Sequence, residues 1–385
     1  MKKIFFSFVA LAALAACSKS EVAYEAPAEI GFAPAVKNIT KAANENGVLD
    51  ASNNLGIWAF WNGVNGSKED NATYANYTDS YLANALFVNR TTTVGETTTA
   101  TANWGGETSY PWPTNGALVF AGYNKPADAE FSASYSFLDN ATTTDVNEEN
   151  TMTFTNYTQS TDLAETFDLC WFGRTTKSYN NRTDGSAVAV TMSHALTWVT
   201  IKVKGDATTA PTANNAQPWK VTKATLIGVN TVGTTGTCIF DSEDNNKAKA
   251  TWISTTPENI NVQTTAATKD DNNVITGGGT ALTQEATAYE STENGLVVIP
   301  QTPVSLEIEY IYPVAGVYKE GKTTVNLTLT GHKDENGDDI AEANKINTWL
   351  SGTHYIYTIV FKANEILVAP SYGSWDTVDK SVTVE

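Results

Sequence analysis

Short runs of Val, Ile, Thr, Tyr and Trp, with apolar and polar positions alternating, recur along almost the whole chain, and clusters of Gly, Asn, Asp and Pro separate them. A period of two places alternate side chains on one face of an extended strand, whereas a helix needs a period near 3.6. Leu55-Gly56-Ile57-Trp58-Ala59-Phe60-Trp61, Ala117-Leu118-Val119-Phe120-Ala121, Trp198-Val199-Thr200-Ile201-Lys202-Val203, Leu306-Glu307-Ile308-Glu309-Tyr310 and Tyr355-Ile356-Tyr357-Thr358-Ile359-Val360-Phe361 are strands by this criterion. Asn294-Gly295 and Asn336-Gly337 carry hairpin-turn chemistry. Helical spacing is nearly absent, with one short helix expected over Ile340 to Trp349. Many short strands with frequent turns point to an all-β protein built of β-sandwiches.

The chain has 385 residues, enough for two domains with full cores. Asn180-Asn181-Arg182-Thr183-Asp184-Gly185 is a polar turn cluster, and a long strand-like stretch follows from Ala187 to Val203. The break is therefore expected near residue 185, with one sandwich over 42–185 and a second over 186–362.

The N-terminus fixes where the chain goes. Met1-Lys2-Lys3 is a basic head, Ile4 to Ala13 is apolar, and Leu14-Ala15-Ala16-Cys17 closes the run. Charge, apolar stretch and small residues in that order form a secretory signal over 1–17. Leu-Ala-Ala-Cys is similar to the bacterial lipobox, which makes Cys17 the lipidation residue and the outer membrane the expected anchor. Net charge agrees with life outside the cell: 42 Asp and Glu stand against 24 Lys and Arg, a net of −18. Such a surface repels phosphate backbones, so nucleic acid is not an expected partner. Cys170 and Cys238 both sit in strand-like stretches. A disulfide between them and two buried thiols remain equal alternatives.

No catalytic constellation emerges. The chain holds three His, at 194, 332 and 354, and no pair has metal-ligand spacing. His194, in Met192-Ser193-His194-Ala195-Leu196, is expected to be a hydrogen-bonded structural residue, and Ser193 lacks a nucleophile elbow. Asp334-Glu335-Asn336-Gly337-Asp338-Asp339 resembles a calcium loop, but its Gly falls fourth rather than sixth, so a hairpin turn explains it better. Tyr110-Pro111-Trp112-Pro113 and Trp58-Ala59-Phe60-Trp61 have the aromatic content of a sugar platform, though core packing is the favoured assignment. Catalytic residues, metal and cofactor are therefore all expected to be none.

Both ends carry separate strands. Ile30, Phe32, Pro34 and Val36 share one apolar face and are followed by Lys37, Lys41 and the loop Asn44-Glu45-Asn46-Gly47. A strand able to pack in a sandwich is thus joined to the body through a protease-accessible loop. At the other end, residues 363–385 contain Ile366, Val368, Trp375, Val378, Val382 and Val384, with Val382 and Val384 on one face. A half-apolar terminal strand must be covered, because an open edge of that kind pairs with another chain.

Taken in order, several pieces resemble the fimbrillin family, the major subunits of type V pili in Gram-negative anaerobes. They are the lipobox Leu14 to Cys17; Ile30-Gly31-Phe32 with Thr40-Lys41-Ala42; Leu55 to Phe60; His194-Ala195-Leu196 leading into Val199 and Val203; Val298-Ile299-Pro300-Gln301; Trp349 to Tyr357; and Ile366 to Trp375. The resemblance implies two transthyretin-like Greek-key β-sandwiches with a donor-strand C-terminal extension, exported as a surface lipoprotein. It also implies that residues 18–41 are a propeptide holding a removable strand, which a trypsin-like surface protease cuts off, here between Lys41 and Ala42. The family's usual Arg is replaced by Lys41. The donor residues Ile366, Val368, Trp375, Val378, Val382 and Val384 of one copy would then fill the groove left in another. The expected partners are further copies of the chain, other pilus subunits and a host or bacterial surface ligand. Rival roles are a fimbrial tip adhesin or anchor subunit and a surface glycan-binding lipoprotein.

Of the three cysteines, only Cys17 is expected to carry the acyl anchor. Metabolic labelling with a radioactive fatty acid should mark the chain and its Cys170→Ala and Cys238→Ala variants, and should miss Cys17→Ala. Labelling of Cys17→Ala would contradict the lipobox assignment.

Overall fold

The computed structural model describes residues 28–36, 49, 52–61, 79–90, 104–113, 116–126, 130–137, 150–162, 165–178, 187–212, 217–239, 249–289, 296–330, 338–339, 342, 345–363, 365–374 and 382–383. These residues are almost entirely β, as the alternating pattern requires. The first half contains β1 (Gly31–Val36), β2 (Asn54–Trp61), β3 (Asp79–Asn89), β4 (Trp104–Gly106), β5 (Ala117–Lys125), β6 (Ser132–Phe137), β7 (Asn150–Thr158), β8 (Cys170–Ser178) and β9 (Val188–His194). Next come β10 (Thr197–Gly205), β11 (Lys220–Ile239), β12 (Lys249–Thr264), β13 (Ala267–Lys269), β14 (Ile275–Gly278), β15 (Thr280–Ala281) and β16 (Thr287–Ala288). The chain ends with β17 (Val297–Val298), β18 (Ser305–Val314), β19 (Val317–Asn326), β20 (Thr353–Lys362), β21 (Glu365–Ser374) and β22 (Val382–Thr383). No helix among the described residues is long and apolar enough to cross a membrane.

The strands build three sheets. The first closes on itself in the order β1-β4-β3-β2-β5-β8-β9, and β1 makes the closure by pairing with β4 on one side and β9 on the other. Its interior is filled by Phe32, Phe87, Trp104, Phe120 and Phe172 with Leu55, Ile57, Val188 and Val190. A second sheet runs β16-β10-β20-β21-β22, with a parallel ladder from Trp198↔His354 to Gly205↔Phe361. The third runs β13-β14-β19-β18-β11-β7-β6. Alternate residues of β10 and β20 (Val199, Ile201, Val203; Tyr355, Tyr357, Ile359, Phe361) pack with Val221, Leu226 and Val229 of β11 and Leu306 and Ile308 of β18. That face-to-face burial is the core of a sandwich.

A third apolar cluster joins the barrel to the sandwich. Trp58, Tyr123, Phe154 and Trp171 meet Trp198, Cys238, Val297 and Ile299 there. The long strand β11 serves both regions: its first part pairs with β18, and its last part pairs with β7 from Val232↔Thr158 to Ile239↔Thr151.

Two expectations are settled differently by the structure. Residues 345–350 are not helical; their backbone donors are taken by neighbouring segments, with Ile346 N–H donating to Thr328 O (3.2 Å) and Trp349 N–H to Gln301 O (2.8 Å). Residues 340, 341, 343 and 344 of that stretch lie outside the described residues. Cys170 and Cys238 are both free and buried, which removes the disulfide alternative. The Trp58 and Trp112 side chains are 7% and 4% exposed, so they serve the core, as favoured over a sugar platform.

His354 titrates in a way the fold dictates. Its ring stacks on Trp198 with centroids 3.5 Å apart, and its Nε2 shares a 2.9 Å hydrogen bond with the Thr200 hydroxyl. Burial, and then the positive charge of Lys202, lower its pKa from 6.5 to about 4. An unfolded chain therefore binds a proton that the folded chain refuses between these values. The resulting stability is complete above about pH 6.5 and is lost as pH falls toward 4, up to about 3 kcal/mol. Chemical denaturation of the native chain and of His354→Gln should diverge in slope across that window. Identical slopes would remove His354 from the acid response.

Candidate functional site: the strand that closes the barrel

The strand β1 owes its place to alternating buried residues that begin just before it. Ile30, Phe32 and Pro34 point inward and are buried, while Ala35 is exposed. Phe32 makes edge-to-face contacts with Phe87 (5.0 Å between centroids) and Phe120 (5.2 Å), and a tilted contact with Phe172 at 6.3 Å. Such contacts add about 0.5–1.5 kcal/mol each to simple area burial. Pro34 lacks an N–H and donates no ladder bond, yet the register with β9 runs unbroken through Pro34↔Val190.

The backbone pairing of β1 is mixed. Toward β9 it is parallel, from Phe32↔Val188 through Val36↔Met192. Toward β4 it is antiparallel and short, Gly31↔Gly105 and Phe32↔Trp104. The other ladders of the barrel are all antiparallel. Parallel pairing is slightly weaker per residue, so β1, with a parallel ladder on one side and two pairs on the other, depends correspondingly on its side chains.

Residues beside β1 fasten its leading end. Ile30 N–H donates to Tyr110 O (2.8 Å) and Trp112 N–H donates to Ala28 O (2.9 Å). Arg90 reaches Glu29 at 3.4 Å on the surface and donates to Gly106 O from its other terminal nitrogen. Tyr110 stacks on Phe87, and Trp112 meets Phe120 edge-on. Two glycines make room for this crossing. A Cβ on Gly105 would lie 2.6 Å from the Arg90 side chain, and one on Gly106 would lie 2.5 Å from Thr108 O.

The other expected site residues divide between described and undescribed positions. Cys17, Lys41 and Ala42 lie outside the described residues, as do Trp375, Val378 and Val384. The backbone of Val36 is placed in β1, but its side chain is outside the description. Ile366 and Val368 lie on β21, opposite Phe361 and Ile359 of β20. This ladder runs the whole length of β21, from Lys362↔Glu365 to Thr353↔Ser374. Val382, on β22, pairs with Tyr372, and the β21–β22 ladder has only one further pair, Ser371↔Thr383.

One grouping escaped sequence inspection. His194 is buried and hydrogen-bonded, as expected, and its Nδ1 partner is Asp168 Oδ2 at 2.9 Å. Cys170 lies beside both. Asp168 and Cys170 are two apart in sequence, but the partner across the ladder is visible only from the register.

Residues 40–375 match the family model described as Fimbrillin-like, and residues 1–18 match the prokaryotic membrane lipoprotein lipid attachment site. The fold is similar to that of a fimbrial protein from Bacteroides vulgatus, at 17% identity and a TM-score of 0.50, over 90% of this chain and 99% of that one. A weaker likeness, at 11% identity and a TM-score of 0.32, is to the tip fimbrial protein Mfa3 from Porphyromonas gingivalis with C-terminal truncation, over 90% of this chain and all of that one (100%). No curated relative matches the chain.

If Phe32 is the wedge that holds the barrel closed, its removal should be costly. Phe32→Ala should destabilise the chain by about 3–5 kcal/mol in urea denaturation. Ala35→Ser, on the exposed side of β1, should change it by about 0.5 kcal/mol or less. Equal effects from the two would show that the wedge carries no special share of stability.

Proposed function

The chain belongs to the fimbrillin-like family and is an exported lipoprotein of the cell surface, and from that premise we propose that it is a stalk subunit of surface fimbriae. It is a fimbrial, adhesion-type protein, in a family of structural and adhesive proteins rather than enzymes. In our proposal, subunits join by protease-triggered donor-strand exchange. The observation that supports this most directly is β1: a short strand with its own apolar face that completes a barrel and lies N-terminal to the expected cut at Lys41.

Cutting between Lys41 and Ala42 leaves β1 tied to the body by packing and pairing alone. Once β1 leaves, a groove six residues long opens between β4 and β9, floored by Phe87, Phe120 and Phe172. An exposed apolar slot with free backbone groups on both sides recruits another strand. The donor is the C-terminal segment of a second copy. Within it, the stretch around Val382 is the first to be released, since β22 has two pairs to β21, whereas β21 is laddered to β20 along its full length. Ile366 and Val368 follow only if that longer ladder opens.

Roughly six apolar side chains at about 1.5–3 kcal/mol each would bury about 9–18 kcal/mol before ordering costs. Main-chain bonds add about 0.5–1.5 kcal/mol apiece. Head-to-tail contacts of this kind do not close into rings and so extend into a filament. The two-unit organisation, 42–185 and 186–362 with transthyretin-like strand order, belongs to this proposal. Two separate cores support two units, one drawn mainly from residues before 185 and one from residues after 198, with Val188, Val190 and Met192 of β9 completing the first core from beyond the proposed break.

The test is Lys41→Ala. This variant should accumulate as a lipidated precursor, and surface extracts should lose the SDS-resistant ladder of the native chain. A normal ladder, without compensating cleavage at Lys37, would overturn the proposal.

A further inference from the structure

Away from the barrel closure, three metal-binding side chains converge on one point inside the protein. Cys170 and His194 face each other across the β8–β9 ladder, and Asp168, two residues before Cys170 and just ahead of β8, brings its carboxylate to both. Asp168 Oδ2 is 2.9 Å from His194 Nδ1, Cys170 Sγ is 3.6 Å from that same nitrogen, and Cys170 Sγ is 3.5 Å from Asp168 Oδ2. The His194 side chain is fully buried and that of Asp168 is 14% exposed.

The geometry points to a binding site for a zinc-class divalent cation held by Cys170 Sγ, His194 Nδ1 and Asp168. Three features favour a cation over a catalytic relay. In a thiol–imidazole–carboxylate relay the two imidazole nitrogens face different partners, whereas here the sulfur and the carboxylate both face Nδ1. Without a cation, the Nδ1–H of His194 and the thiol of Cys170 would both donate to Asp168 Oδ2; one cation in place of those two protons would meet all three atoms.

Second, the spacing suits a first-row ion. Tetrahedral zinc, with bonds of about 2.3 Å to sulfur and about 2.0–2.2 Å to nitrogen and oxygen, sets its ligand atoms roughly 3.3–3.7 Å apart. Two of the three separations lie in that range. The third is the length of a hydrogen bond, whose proton the cation would replace. Third, the second carboxylate oxygen, Asp168 Oδ1, is buried and has no hydrogen-bond partner, which leaves it available as a further ligand.

The donors are also held in place. Asn124, 2% exposed, donates from Nδ2 to Asp168 O (2.9 Å) and accepts the Cys170 N–H at Oδ1 (2.7 Å). Ala195 N–H donates to Leu169 O at 2.8 Å. The main chain on both flanks of the site is therefore fixed by hydrogen bonds. A sulfur–nitrogen–oxygen set selects zinc, cobalt or nickel over calcium and magnesium, which prefer oxygen alone. Linear spacing missed the site because its members come from two strands, twenty-four residues apart at Cys170 and His194. Such an ion would tie β8 to β9, the strand against which β1 pairs.

The test uses the full-length chain, stripped of metal with a chelator and titrated with Co²⁺. Saturation at one ion per chain with a thiolate-to-cobalt charge-transfer band is expected, together with loss of the band on adding Zn²⁺. Melting temperature should rise with zinc concentration, since the ion binds only the folded chain. Cys238→Ser should keep the band, Cys170→Ser should lose it, and Asp168→Asn should weaken zinc binding at least tenfold. Absence of the band in the folded native chain would reduce the cluster to a hydrogen-bonded Asp–His pair and overturn the site. Its persistence in folded Cys170→Ser would do the same.

Discussion

The insertion of Phe32 among Phe87, Phe120 and Phe172 is the contact on which the barrel depends. Those rings line the inside of a sheet whose two free edges, β4 and β9, are joined only by β1. Without a filler, the gap would expose aromatic surface and two unpaired backbone edges at once, and both invite association. Closing a sheet into a barrel is the usual way to remove edges. This chain does so with a six-residue strand, reached through the Lys-containing stretch that follows it.

In the proposed assembly that arrangement separates folding from polymerisation. A chain that supplies its own closing strand leaves the barrel without an open edge. Under strand exchange, loss of that strand would turn the closed barrel into an acceptor. The sandwich of β10, β20, β11 and β18 has a separate core, built from residues after 198. The seam of Trp58, Tyr123, Phe154 and Trp171 with Trp198 and Ile299 connects the two regions. A change in the barrel wall therefore need not disturb the second core.

Much of this was legible in the sequence because strand periodicity reports which residues face inward. The alternation in Tyr355 to Phe361 places Tyr355, Tyr357, Ile359 and Phe361 in one core, and Ile30, Phe32 and Pro34 are likewise buried together. Pairing between distant strands was not legible. Nothing local says that β1 pairs with β9 in parallel, that β7 joins β11, or that His194 faces Cys170. These are choices of register, decided by which faces bury together and not by propensity. The failed helix around Ile346 has the same origin: loosened apolar spacing resembled helix, but Ile346 and Trp349 donate to neighbouring segments instead.

The most direct measurement is N-terminal sequencing of subunits taken from assembled surface fimbriae. Assembled chains are expected to begin at Ala42, with Ile30 to Val36 missing and a donor strand of a second copy in their place. Assembled chains that still carry Ile30 to Val36 would contradict strand exchange at the barrel wall, because the groove would then be filled by the chain's own β1.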